Sequence, residues 1–184
     1  MGVHMMKKIA TIDHTLNENH FKVEIRKSSR AIIIQNDLVL MIHSLKNGDY
    51  KFPGGGRKIF ESALVNLARE TKEETGYDII NSSVRTFGYI EEFFESNNTK
   101  NGLFKMISEY YTCKINNKLD KPLLEPYEKA QGYQPVFVSP VYALKKNEGL
   151  DLKRYHWIER ENLILKIIIR MMGDKYEGVN LLQS

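Results

Sequence analysis

The sequence predicts an α/β fold with a mixed β-sheet sandwiched between helices. Three observations lead there. Strand-like runs stand both before and after one strongly periodic helical segment. Those strands do not alternate with helices in regular βαβ order, which argues against a purely parallel sheet. A second, apolar helical segment lies near the end of the chain.

The elements follow in order. "RAIIIQNDLVLMIHS" reads as two strands, over 31–34 and 38–43, joined by a turn at Asn36-Asp37. "LKNGDYKF" carries an Asn47-Gly48 turn signal and a short edge running into Pro53. Glycines 54 to 56 are expected to form a loop. The spacing predicts a helix over 61–75, stopped by Gly76. "SSVRTFGYIEEFFE" and "LFKMISEYYTCKIN" read as strands separated by the polar "SNNTKNG". A long irregular stretch, "NKLDKPLLEPYEKAQGYQP", leads to a short strand "VFVS". A helix begins near Pro140, capped by Ser139, and a longer one runs over about 157–172.

A length of 184 residues suits one domain with a substantial core. Residues 1–25 read as an N-terminal extension, its opening "MGVHMMKK" partly as an expression remnant, and 26–184 as the domain with its C-terminal helix. The net charge of +4 and a pI near 9.0 suit an anionic ligand without requiring one. The single cysteine, Cys113, excludes an intrachain disulfide, fits a reducing cytoplasm and reads as a small core residue. The run "LILKIIIRMM" is too short and too charged to cross a bilayer. His4, His14, His20, His43 and His156 show no metal-ligand spacing and read as surface or core residues. The C-terminal helix, apolar around much of its circumference, is expected to pack on the sheet or to form a homodimer contact.

On a helix at 100° per residue, Leu64, Leu67, Ala68 and Thr71 are expected to make one buried stripe. Glu70, Glu73 and Glu74 share a second face, with Arg69 one turn before Glu73. A solvated charged face is the ordinary explanation for such a run. Three like charges within one turn repel, however, and sit near the negative end of the helix dipole. A divalent cation would relieve both penalties, and Mg²⁺ or Mn²⁺ prefers oxygen ligands. The glycines ahead of the helix leave backbone groups open to a metal or a phosphate.

Gly55, five residues to Glu61, seven to Arg69-Glu70, then Thr71-Lys72-Glu73-Glu74-Thr75-Gly76-Tyr77 resembles the Nudix box, G-x5-E-x7-R-E-U-x-E-E-x-G-U. All seven fixed positions match, a coincidence expected on the order of once in a million chains of average composition. With the flanking strands and "KFPGG", the resemblance extends over about 26–172. Thr71 and Tyr77 stand where U is usually a bulky aliphatic. Arg57, Lys58 and Phe60 stand where many members have an aliphatic residue, a Glu and a Gly, so this loop is expected to turn differently or to help hold substrate.

The resemblance implies a Nudix-type α/β/α sandwich and hydrolysis of a nucleoside diphosphate linked to another moiety. It implies Mg²⁺ or Mn²⁺ held by Glu70, Glu73 and Glu74 with the Gly54 carbonyl, and Glu61 as a supporting residue. Arg69 is implied to orient Glu73. Glu128, with Glu125 in reserve, is the candidate carboxylate outside the box, and Glu70 is the other candidate general base. Arg30, Lys51, Phe52 and Gly55 are substrate-binding candidates. Phe52, Tyr89 and Phe93 suit either base stacking or the core. A proline often found some fifteen residues beyond the box in ADP-ribose-selective members is missing between Tyr77 and Pro122. A tyrosine associated with dinucleoside polyphosphates is replaced by Phe93 and Phe94. A nucleoside triphosphate, ordinary or oxidised, is therefore the first expectation. The alternative is a sensor that binds a nucleotide or sugar-nucleotide without cleaving it. Diphosphate isomerisation would need a cysteine and a histidine-rich metal site, and RNA decapping is supported by no basic run. No DNA or membrane partner is expected.

Overall fold

The computed structural model describes residues 6–16, 22–96, 98–99 and 101–180, with side chains to residue 173. His4 and His20 lie outside the described residues. In chain order the strands and helices are β1 (Lys8–Asp13), β2 (Lys22–Ile32), β3 (Ile34–Gln35), β4 (Leu38–Ser44), β5 (Tyr50–Lys51), β6 (Gly54–Gly56), α1 (Ala63–Thr75), β7 (Tyr77–Ile79), β8 (Arg85–Glu95), β9 (Gly102–Thr112), β10 (Ile115–Leu119), α2 (Pro126–Gln131), β11 (Tyr133–Val138), α3 (Pro140–Glu148) and α4 (Trp157–Asn180). The fold is mixed α/β, as the sequence predicts.

Two compact units divide the chain, Met1–Ile32 with Pro53–Leu123, and Ile33–Phe52 with Leu124–Ser184. The first carries a five-stranded mixed sheet in the order β1-β8-β9-β2-β6. β2 runs parallel to β9, while β8 and β6 pair antiparallel with their neighbours. β1 joins the edge in parallel with β8, so the sheet recruits residues ahead of 26. Its core includes Ile12, Ala31, Ile32, Leu67, Ile90 and Tyr110. Cys113 is buried as expected, and burial pushes its thiol up to about 12, which removes it as a nucleophile at neutral pH.

The glycines form a strand rather than the predicted loop. Gly54, Gly55 and Gly56 pair with Arg30, Ser29 and Ser28 of β2. Intrinsic propensity disfavours glycine in strands, and here the ladder with β2 overrides it. Gly54 sits at φ 140°, and a Cβ there would collide with the Ser29 backbone, so no other residue fits without displacement.

α1 starts two residues later than predicted. Ser62 caps it by accepting from the Val65 N–H at 3.3 Å, and left-handed Gly76 ends it. Its buried face also differs from the predicted stripe. Leu67 and Thr71 are buried as predicted, but Leu64 is 51% exposed, and Asn66, Glu74 and Thr75 are buried with them. The reason is the polar backbone of β2 and β6 beneath the helix, which calls for hydrogen-bonding partners rather than a leucine.

In the second unit, β4 is the centre of an antiparallel sheet, β11-β4-β3, with β5 also on β4. The β3–β4 turn places Asn36 and Asp37 at φ 49° and 61°, the paired left-handed conformation of a tight hairpin. Val39 to Ile42 are buried, which explains the unbroken apolar run there. The stretch predicted as irregular takes in the end of β10, in the first unit, and α2 with the start of β11, in the second. α2 is fixed by Pro126 in its first turn and a capping box between Glu125 and Glu128. Ser139 caps α3 as predicted. α4 buries Ile158, Glu161, Ile164, Leu165 and Ile168 and leaves Lys166, Arg170 and Met171 exposed. No helix among the described residues is long and apolar enough to cross a membrane.

Candidate active site

The site grows from the contact between β6 and α1, both in the first unit. Asn66 is fully buried and ties the two together. Its carbonyl oxygen accepts from the Ser29 N–H at 3.0 Å, and its amide donates to the Gly56 carbonyl at 3.2 Å and to Glu61 Oε2 at 3.2 Å. The sequence reading missed this residue. Its signal was available: Asn66 lies four residues before Glu70, on the glutamate face, in a helix position where asparagine has poor propensity.

Glu74 is 2% exposed, and its Oε2 accepts from the Gly54 N–H at 2.7 Å. Glu70 lies over Gly55 so closely that a Cβ there would fall 2.6 Å from its Oε2. The glycine requirement at 55 is therefore steric. Arg30 is buried, and its Nη1 donates to the Gly54 carbonyl at 3.4 Å.

Arg69 gathers three carboxylates at 2.8 Å each, Glu61, Glu70 and Glu73. The like-charge repulsion posed by the sequence is thus answered inside the protein, by Arg69 for Glu70 and Glu73 and by a backbone N–H for Glu74. The Arg69 hydrogen bond is the largest influence on Glu61 and holds its carboxyl down at about 2 despite burial. The Glu61 bond in turn raises the Arg69 guanidinium further above its usual range.

The donor set suits a hard divalent cation in kind, since Glu70, Glu73, Glu74 and the Gly54 carbonyl offer oxygen alone. Gly54 and Gly55 also present bare backbone beside two of those carboxylates. Among the described residues, no three His, Cys, Asp or Glu side chains are drawn together in metal-holding geometry.

The loop after β6 is anchored at both ends. Arg57 pairs with Glu109 of β9, and Glu61 accepts from the Lys58 N–H at 3.0 Å. Phe60 is wholly exposed at φ 64°. That is the backbone region where glycine is at home, so the chain keeps a glycine-like turn without the glycine.

Tyr89 and Phe93 lie on β8, and Lys105 Nζ stands 5.2 Å from the Phe93 ring centre. In the second unit, Phe52 is fully buried, which is the core alternative for that residue, and its N–H donates to Glu161 Oε2 at 3.0 Å. Lys51 Nζ lies 3.8 Å from the Tyr133 ring centre. Glu128 is 3% exposed and accepts from the Glu125 N–H at 2.8 Å and the Tyr127 hydroxyl at 3.0 Å.

The chain is similar in fold to solved structures. A MutT structure from work on Aliivibrio salmonicida and Vibrio cholerae superposes with a TM-score of 0.52 at 15% identity, covering 80% of this chain and 99% of that one. A MutT protein from Bacillus halodurans matches at 16% identity and TM-score 0.47, over 75% and 82% of the two chains. An ADP-ribose pyrophosphatase from Streptococcus suis matches at 21% identity and TM-score 0.42, over 62% and 74%. No curated protein matches the sequence significantly. The NUDIX domain family matches over residues 25–159, most of the chain and all of the glycine strand and glutamate helix. The chain therefore belongs to the Nudix family, whose enzymes hydrolyse pyrophosphate linkages in small nucleotide substrates and generally use divalent metals.

Proposed function

We propose that this protein hydrolyses the pyrophosphate linkage of a nucleoside triphosphate, ordinary or oxidised, with Mg²⁺ or Mn²⁺. The observation that carries the reading is the pairing of two carboxylates with bare glycine backbone, Glu74 on the Gly54 N–H and Glu70 over Gly55. Glu70, Glu73 and Glu74 with the Gly54 carbonyl would hold the cation. The cation, when bound, would neutralise phosphate oxygens and supply Lewis acidity toward the water nucleophile.

The chain's own residues do the rest. Arg69 orients Glu70 and Glu73 through charge-assisted bonds, and Glu61 keeps Arg69 in place. Glu70 takes the proton from the attacking water, leaving two phosphorylated products. Arg30, beside Gly54, contributes positive charge toward a phosphate. Lys51 and Glu128 stay as candidates on the strength of the sequence. The choice of a triphosphate rests on the missing proline beyond the box and on Phe93-Phe94 in place of tyrosine.

A panel of nucleoside triphosphates, oxidised nucleotides, ADP-ribose and diadenosine polyphosphates, each with Mg²⁺ and with chelator, tests the reading. Release of monophosphate and pyrophosphate from a triphosphate, abolished by chelation, is expected. Tight nucleotide binding without turnover across the panel would establish the sensor instead.

A further inference from the structure

We propose that Glu109 is a positioning residue for this site, fastening the loop between β6 and α1 to the sheet through Arg57. Gly55 pairs with Ser29, and Ser29 with Glu109, so the three form one row across β6, β2 and β9. Paired residues in such a row project to the same face, and two strand spacings put Glu109 about 10 Å from Gly55. Glu70 rises over Gly55 on that same face. Arg57 closes the gap between them. Its N–H continues the ladder by donating to the Lys27 carbonyl at 2.9 Å, and its Nε donates to Ser29 Oγ at 3.4 Å. Its Nη2 donates to Glu109 Oε2, the same oxygen that accepts from the Tyr111 hydroxyl at 2.6 Å.

The pair is not an ordinary solvated surface contact. Both side chains are 16% exposed, and Tyr111 behind them is 5% exposed. Shielding of this kind makes an ion pair matter where a surface pair would contribute little. Tyr111 is held neutral by burial and by Glu109, so its hydroxyl stays a donor.

The consequence is mechanical. Residues 57–61 are fixed at one end to the sheet by Glu109 and at the other to α1, where Glu61 binds Arg69. The two anchors together set where α1 begins relative to the glycine strand. That spacing decides whether Glu70 and Glu74 meet the backbone of Gly55 and Gly54. Glu109 acts on the reaction through Arg57 and does not touch substrate. Only the kinetic part of this proposal rests on the pyrophosphohydrolase reading above.

The test compares Glu109→Gln, which keeps the shape and removes the charge, with the exchanged pair Arg57→Glu/Glu109→Arg. Two readouts are taken. The first is native-state tryptic cleavage after Lys58, which needs no substrate; circular dichroism verifies the fold. Glu109→Gln is expected to speed cleavage about 10-fold and the exchanged pair to restore protection, the signature of direct coupling. The second is steady-state hydrolysis with Mg²⁺. Glu109→Gln is expected to lower kcat about 10-fold or more with KM changed less than about 3-fold, and the exchange to recover most of the loss. Unchanged cleavage in Glu109→Gln overturns the clamp, as does an exchanged pair that restores neither readout. A raised KM at constant kcat would place the pair on the substrate and overturn the positioning role. If the unaltered protein hydrolyses nothing on the panel, the functional reading fails and the cleavage readout alone decides the clamp.

Discussion

Glu61 and Phe60 are adjacent, and each shows how a single residue is fixed by its surroundings. The Glu61 carboxyl, held near 2 by Arg69, lies well below its ordinary value of 4.5. A folded-state pKa depressed in this way contributes stability fully above about pH 4.5, and that contribution is lost as pH falls through 2. Glu61→Gln is therefore expected to lower Tm at pH 7 by about 4 °C or more, with the gap to the unaltered protein closing between pH 5 and 2. A gap that stays constant over that range would contradict the Arg69 assignment. Phe60 occupies a left-handed backbone position at φ 64° while fully exposed, so it has strain without packing to offset it. Phe60→Gly is expected to raise stability by about 0.5–1 kcal/mol, the relief exceeding the added entropy of the unfolded chain. Thermal denaturation measures it, and a loss of stability would mean the Phe60 ring is packed.

At the scale of elements, α1 was legible and its partner was not. Periodicity and Gly76 mark the helix within two residues of its observed ends, because a helix stop is local chemistry, whereas the Ser62 cap was not read from the sequence. Glu61 falls outside the helix because its N–H closes a turn onto the Lys58 carbonyl at 3.0 Å. β6 was hidden, since three glycines carry no strand signal and the pairing is imposed by β2. The same non-local contact explains why Leu64 is half-exposed and Asn66 fully buried. β1 was set aside with the N-terminal segment because its parallel partner, β8, is some eighty residues away in sequence. α2 was readable in principle from Pro126 and the Glu125–Glu128 box, but it has only six residues. The bond between β6 and α1 gives this level its prediction. Asn66→Ala leaves the Ser29 N–H and the Gly56 carbonyl without this buried partner, and should destabilise the protein by about 2–3 kcal/mol. Urea unfolding would detect it, and a change under 0.5 kcal/mol would show that water replaces the amide.

For the whole molecule, the seven matching box positions foretold the family that the residue 25–159 match establishes. The carboxylates were legible because their order along one helix is a sequence property. Their present partners were legible only in part. Arg69 on Glu73 follows from one-turn spacing, whereas Glu74 on the Gly54 N–H and the Arg57–Glu109 pair arise from the meeting of distant segments. In the proposed function, the glutamate face of α1 supports cation-dependent cleavage of a pyrophosphate. The most direct measurement is the Mg²⁺-dependent hydrolysis rate of Glu73→Gln and Glu74→Gln beside the unaltered protein, with folding followed by circular dichroism. A loss of roughly 100-fold or more in each variant, with the fold intact, is the expected result. Near-unaltered rates in both would contradict the assignment.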